Sequence, residues 1–133
     1  MSNTNIEPLW VEGRDAIAIH SRQLATHGGG DGVRDIGLLQ SALARPVNAF
    51  HYNQVTSLTD LAAAYAFGIT KNHAFVDGNK RTAYVVTRLF LNINGFDINA
   101  TKEEKYLTFY ALAAGSLSEE DLAAWLESKL YKL

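Results

Sequence analysis

The sequence predicts a mainly α-helical domain of about six helices with one short extended element. Three observations carry this. Apolar residues recur at helical spacing through 58–69 and again through 83–93. Capping residues stand ahead of several such runs: Asp35, Ser57 with Asp60, and Ser118 with Asp121. Only two of the 133 residues are proline, so little interrupts a helix.

The elements follow in order. Residues 1–7 are polar and read as a frayed lead, and a first helix is expected from about Pro8 to Ala25. Proline is accommodated in a first turn, where its missing N–H has no partner to lose. Ile17 and Leu24 share a face with His20 between them, which predicts a satisfied, half-buried histidine. Gly28, Gly29, Gly30 and Gly32 end this helix and predict a mobile connection. Asp35 caps a second helix carrying Leu38, Leu39, Ala42 and Leu43. Arg45-Pro46 is expected to end it, because proline pushes the residue before it out of the helical region. The β-branched and aromatic stretch 46–56 then reads as an extended segment or small hairpin.

Ser57 and Asp60 open a helix that runs to about Asn72, with Leu58, Leu61, Ala62, Tyr65 and Ile69 as its stripe. A polar loop spans His73 to Asn79. A further helix starts near Lys80, carries Ala83, Val86, Leu89, Phe90 and Ile93, and stops at Asn94-Gly95. Two more helices are expected at about 102–114 and 118–130. The length suits a single domain over residues 1–133, which buries roughly 68% of its unfolded surface.

Composition narrows the function. Net charge is −2, so there is no basic excess of the kind that marks a nucleic-acid surface. There is no cysteine, which excludes disulfides and thiolate metal sites. No apolar run reaches the ~18 residues of a membrane span. Residues 1–7 lack a basic region followed by an apolar one, so a cytoplasmic location is expected.

The chemistry concentrates in Lys71-Asn-His-Ala-Phe-Val-Asp-Gly-Asn-Lys-Arg-Thr82, a polar loop between two apolar-periodic helices. Gly78 and Asn79 precede a helix whose first-turn amides are unpaired and carry about half a positive charge. Lys80 and Arg81 stand at that same end, where cations oppose the dipole by ~0.3–1 kcal/mol each. Two cations placed against stability suggest a site built for an anion, most simply a phosphate. Asp77 offers a hard oxygen for Mg²⁺ beside it. His73 has the side chain whose ordinary pKa suits a general base at neutral pH. The same residues also have structural uses: His73 as a helix cap, Asp77-Gly78 as a turn, Asn79 as an N-cap, Lys80 and Arg81 as solvated charges. Spacing alone leaves both readings open.

The segment His73-Ala-Phe-Val-Asp-Gly-Asn-Lys-Arg81 resembles the signature of the Fic/Doc (Fido) superfamily, His-x-Phe-x-Asp/Glu-Gly/Ala-Asn-Gly/Lys-Arg, with every fixed position filled. Gly32 to Pro46 and the Asn94-Gly95 break resemble its death-on-curing (Doc) branch. The resemblance implies that His73 takes a proton from a target hydroxyl and that Asp77 holds Mg²⁺. It implies that Gly78 and Asn79 line an anion hole, with Lys71, Lys80 and Arg81 on the phosphates and ATP as the donor substrate. Segment 46–56 would be the flap that aligns the target chain.

Position 80 separates the subclasses. Most Fic adenylyltransferases carry glycine there; Lys80 matches the Doc branch, which is similar to a kinase and whose known target is a threonine of elongation factor Tu. Phosphorylation is the favoured activity, adenylylation the alternative, and a non-catalytic antitoxin-binding module a third. The sequence departs from the Doc pattern at Gly78, where Doc has alanine, and at Val85, where it has asparagine. The stretch Ser116 to Glu120 is followed by Asp121 and so lacks the inhibitory pattern of Fic proteins. Control is therefore expected from a separate antitoxin whose disordered segment folds on binding.

Overall fold

The computed structural model describes residues 6–30 and 32–133, so the expected lead at 1–7 falls mostly outside the described residues. Its elements are α1 (Gly13–His27), α2 (Ile36–Asn53), α3 (Leu58–Asn72), α4 (Asn79–Ile93), β1 (Phe96–Ile98), α5 (Lys102–Ala114), α6 (Glu119–Lys129) and β2 (Leu130–Lys132). The fold is mainly helical, as expected. None of the described helices is long and apolar enough to cross a membrane.

The centre is α3. Its buried residues include Leu61, Ala62, Ala63, Ala64, Tyr65, Ala66 and Ile69, which lie on every side of the helix. A helix apolar all round must be enclosed, and α2, α4, α5 and α6 all pack against it. The four alanines let these neighbours approach closely. Phe90 and Leu91 of α4 and Leu122 and Leu126 of α6 fill the remaining space, each fully buried. Each such side chain contributes about 1.5–3 kcal/mol by leaving water.

Two expectations about helix ends need correction. The first helix starts at Gly13, five residues after Pro8. Asp15 accepts the Glu12 N–H at 3.0 Å, which fixes the cap there. The preceding residues are held by other contacts: Leu9 exchanges two hydrogen bonds of 2.9 Å with the Asn94 amide, and Trp10 lies between Phe50 and Phe90.

The second helix does not stop at Arg45-Pro46. It continues to Asn53 with Pro46 inside it. Leu39, Ala42, Leu43 and Pro46 are all buried and share one face. Keeping that face on α3 outweighs the proline's penalty of about 3 kcal/mol. Pro46 deprives the Ala42 carbonyl of its helical donor. Gly68 of α3 meets Ala42 at this point, where a Cβ would stand only 3.1 Å from the Ala42 oxygen. The stretch expected to form an extended flap or hairpin at 46–56 is therefore two further turns of helix, ended by Gln54 at φ +59°.

The extended elements lie elsewhere. β1 and β2 pair antiparallel with Phe96 opposite Lys132 and Ile98 opposite Leu130, and Val33 bridges Phe75. The small sheet is tied to α4 by a fork: Arg88 donates from Nε and a terminal nitrogen to the two Asp97 oxygens, both at 3.0 Å. The Ile98 N–H adds a third bond, at 2.7 Å. The Arg88 guanidinium, and then the Ile98 amide, hold the Asp97 carboxyl well below the usual carboxylate range.

Asp97 is ionised more readily folded than unfolded. Its contribution is thus complete above its unfolded pKa of about 3.9 and is lost as pH falls below it. Asp97→Asn is expected to cost about 1.5–3 kcal/mol at pH 7, the value of hydrogen bonds to a charged group. In urea titrations the gap between variant and wild type should begin to narrow near pH 4 and shrink progressively as pH falls further. A constant gap down to pH 2 would refute the assignment.

Candidate active site

The last turn of α3, the loop 74–78 and the first turn of α4 make the site. His73 closes α3 in the left-handed region, at φ +52°. Arg34 reaches across from a distant part of the chain to cap that end. Its Nε donates to the His73 carbonyl at 2.8 Å and its terminal nitrogen to the Asn72 carbonyl at 3.0 Å. These are carbonyls a helix end leaves unpaired. The His73 ring is exposed and has no hydrogen-bond partner among the described residues, so its nitrogens face the cleft unengaged.

The loop is held from three sides. Phe75 is fully buried and stacks on the His20 ring with centroids 4.0 Å apart. His20 donates from Nε2 to the Asp77 carbonyl at 2.7 Å. Asn79, itself buried, accepts the Phe75 N–H at 3.1 Å and donates to the Phe75 carbonyl at 3.0 Å. The chain before α2 lies along the other edge: the Arg34 N–H donates to the Ala74 carbonyl and the Val76 N–H to the Gly32 carbonyl. The glycine run read as a mobile connection is thus seated on this loop. A Cβ at Gly29 would stand 2.7 Å from an Asp77 carboxylate oxygen, and one at Gly30 would stand 2.8 Å from Val76.

Asp77 accepts the Gly78 N–H at 2.7 Å. That bond, then the neighbouring Gly30 amide and Arg81, hold its carboxyl below the ordinary value. It is an anion throughout the neutral range. Asp77 is a single hard donor, and among the described residues no group of three His, Cys, Asp or Glu side chains gathers to hold a metal. Such a set fits Mg²⁺, which takes most of its ligands from phosphate and water, and does not fit a closed protein cage.

Gly78 is the N-cap of α4, at φ +78°, and among the described residues no side chain caps this helix. By contrast α2, α3, α5 and α6 open on Asp35, Ser57, Thr101 and Ser118, each accepting a first-turn amide. The first helical bond of α4 runs from the Thr82 N–H to the Gly78 carbonyl. The amides of 79, 80 and 81 therefore point out of the helix end, with the positive pole of the dipole behind them. Lys80 and Arg81 sit on this turn, and among the described residues no carboxylate pairs with either. Among the described residues, the buried Arg81 Nε has no partner, while a terminal nitrogen of the same guanidinium donates to the Gly28 carbonyl at 3.4 Å.

A cleft of about 420 Å³ opens here, lined by His73, Asp77 to Arg81, Thr70, and Tyr110 of α5. The geometry thus brings together His73, Asp77, Gly78, Asn79, Lys80 and Arg81. Two expected roles change. The Asn79 side chain is occupied in clamping Phe75, so only its backbone N–H is directed to an anion. Lys71 is not in the cleft: its ammonium lies 5.9 Å from the Phe67 ring centroid, in a second cleft shared with Arg45, Asn48 and Asn72. His73 lines the first cleft and Lys71 the second. His20 and Gly29 hold the loop although nothing local in the sequence links them to it, and Arg34, read from the sequence as a local pair or cap with Asp35 and less readily as a cleft residue, caps the end of α3 instead.

The helical frame, with this loop at the one end of α4 left open, defines a Fido-type domain. The chain belongs to the Fic/DOC family, which matches residues 10–91, from the segment before α1 to the last turn of α4. It is of the Doc type within that family. It is 31% identical over 121 residues to a protein described as "Protein kinase doc" from Escherichia phage P1, covering 91% of this chain and 94% of that one. It is 46% identical over 69 residues to one described as "Toxin Doc" from Mycolicibacterium smegmatis, covering 51% of this chain and 53% of that protein.

Proposed function

We propose that this chain is the toxin of a toxin–antitoxin pair, acting in the cytoplasm as a protein kinase that uses ATP. The observation that carries the transferase reading is the open first turn of α4. Its amides and the His73 ring, without partners among the described residues, face the same cleft as Lys80 and Arg81. Phosphoryl transfer depends chiefly on positioning and charge stabilisation, and these groups supply both.

His73 takes the proton of a Ser or Thr hydroxyl. The hydroxyl oxygen bonds to the γ-phosphorus as the bond to the β–γ bridging oxygen breaks, and ADP leaves with that electron pair. The amides of 79–81, Lys80 and Arg81 offset the charge on the phosphoryl oxygens. Asp77 holds Mg²⁺, which when bound supplies further positive charge to the phosphates. The relative described as a protein kinase supports transfer of a phosphoryl group, and the one described as a toxin supports the biological role. A threonine of elongation factor Tu is the proposed target, with arrest of translation as the outcome. Restraint comes from an antitoxin segment that folds on binding.

Gly78, the choice typical of Fic adenylyltransferases, favours a second reading in which AMP is transferred. A non-catalytic antitoxin-binding module is the third; the intact pair of His73 and Asp77 argues against it. Mass decides among them. The protein is incubated with cell extract, ATP and Mg²⁺, and the modified target is weighed. A gain of about 80 Da is expected for phosphate, against about 329 Da for AMP. A target of unchanged mass would refute transfer.

A further inference from the structure

The helix dipole repels a cation from the first turn of α4, and a lysine ammonium rides on a flexible four-carbon stem. Something must keep the Lys80 charge beside the cleft. Its Nζ lies 4.6 Å from the centroid of the Tyr110 ring, inside the ~6 Å reach of a cation–π contact. Tyr110 is half exposed and lines the same cleft as His73 and Asp77. Tyr106, one turn earlier on α5, stands beside it with ring centroids 6.0 Å apart. Ala113 and Ala114, the next residues of α5 on the cleft wall, are too small to reach the ammonium.

We propose that Tyr110 is a positioning residue for Lys80: the face of its ring holds the ammonium at the open turn of α4. The inference rests on the phosphate-binding reading of the cleft and adds the element that orients its lysine. A carboxylate would hold the ammonium more firmly but would neutralise it. A ring face restrains the cation and leaves its full charge for an arriving phosphate.

The test uses inorganic tripolyphosphate, which has no base to stack, titrated calorimetrically into the full chain. Tyr110→Phe keeps the ring face and should bind as wild type does. Tyr110→Leu should bind about two- to five-fold more weakly, the scale of an exposed cation–π contact. In a Lys80→Met background, Tyr110→Leu should have no further effect, because the ring acts through the ammonium. Equal losses in Tyr110→Phe and Tyr110→Leu would overturn the proposal in favour of the hydroxyl. A Tyr110→Leu loss that persists without Lys80 would overturn it in favour of direct contact with the ligand. Wild-type binding left unchanged by Tyr110→Leu would overturn it while sparing the phosphate site. Wild-type protein that binds no tripolyphosphate would remove the phosphate reading itself.

Discussion

His73→Ala is expected to reduce phosphoryl transfer by about 10²–10⁴-fold, the range for loss of a positioned general base. Growth arrest should disappear with it. The fold should not change, because the His73 ring is exposed and has no hydrogen-bond partner among the described residues. His73 stands at φ +52°, which histidine tolerates better than alanine, so the backbone alone should cost up to about 1 kcal/mol. The Arg34 bonds go to backbone carbonyls that alanine retains. Antitoxin binding should therefore match wild type and urea unfolding should shift only by that backbone cost, while transfer is lost. Undiminished growth arrest by the variant would overturn the catalytic assignment. A large stability loss would show that the ring holds the loop together.

Phe75→Ala is expected to have the largest effect on stability, about 3–5 kcal/mol, the usual result of emptying a fully buried aromatic position. The cavity would open beneath the loop. His20 would lose the ring it stacks on and, with it, the constraint that aims Nε2 at the Asp77 carbonyl. Affinity for nucleotide should fall together with stability. Phe75→Leu, which keeps part of the volume but not the ring under His20, should cost less, about 1–2 kcal/mol, and weaken binding less than Phe75→Ala does. Urea midpoints and nucleotide titration of both variants check this. If Phe75→Ala retained wild-type stability, the loop would be anchored by its backbone bonds alone.

The site loop and most helices were legible because their signals are local. Ser57 and Ser118 announce α3 and α6 through side chains that bond amides three residues on. The His73-to-Arg81 segment is contiguous, and its positive charges conflict with the helix end they occupy. What was not legible depends on contacts remote in sequence. Pro46 is a strong stop signal by itself, and only the burial of its face against α3, with Gly68 opposite Ala42, carries α2 through it. The start of α1 depends on whether Pro8 or Glu12 begins it. Composition favours the proline, while the Asp15 reach-back and the Asn94 clamp on Leu9 decide for Gly13. Strands of three residues, 96–98 and 130–132, are too short to display alternation. The placement of Lys71 was not legible, because His73 leaves the helix at φ +52° and its direction does not follow helical spacing. The departure came from the role the resemblance implied for Lys71, whose ammonium lies over the Phe67 ring instead.

The central claim is that the first turn of α4 receives phosphate oxygens. Its most direct measurement is a titration of ¹⁵N-labelled protein with ATP and Mg²⁺, followed at the backbone amides. The largest shifts should fall on Asn79, Lys80 and Arg81, saturating together, with Lys71 and Asn72 unmoved. Shifts confined to the second cleft around Lys71, or none at residues 79–81 at saturating nucleotide, would contradict it.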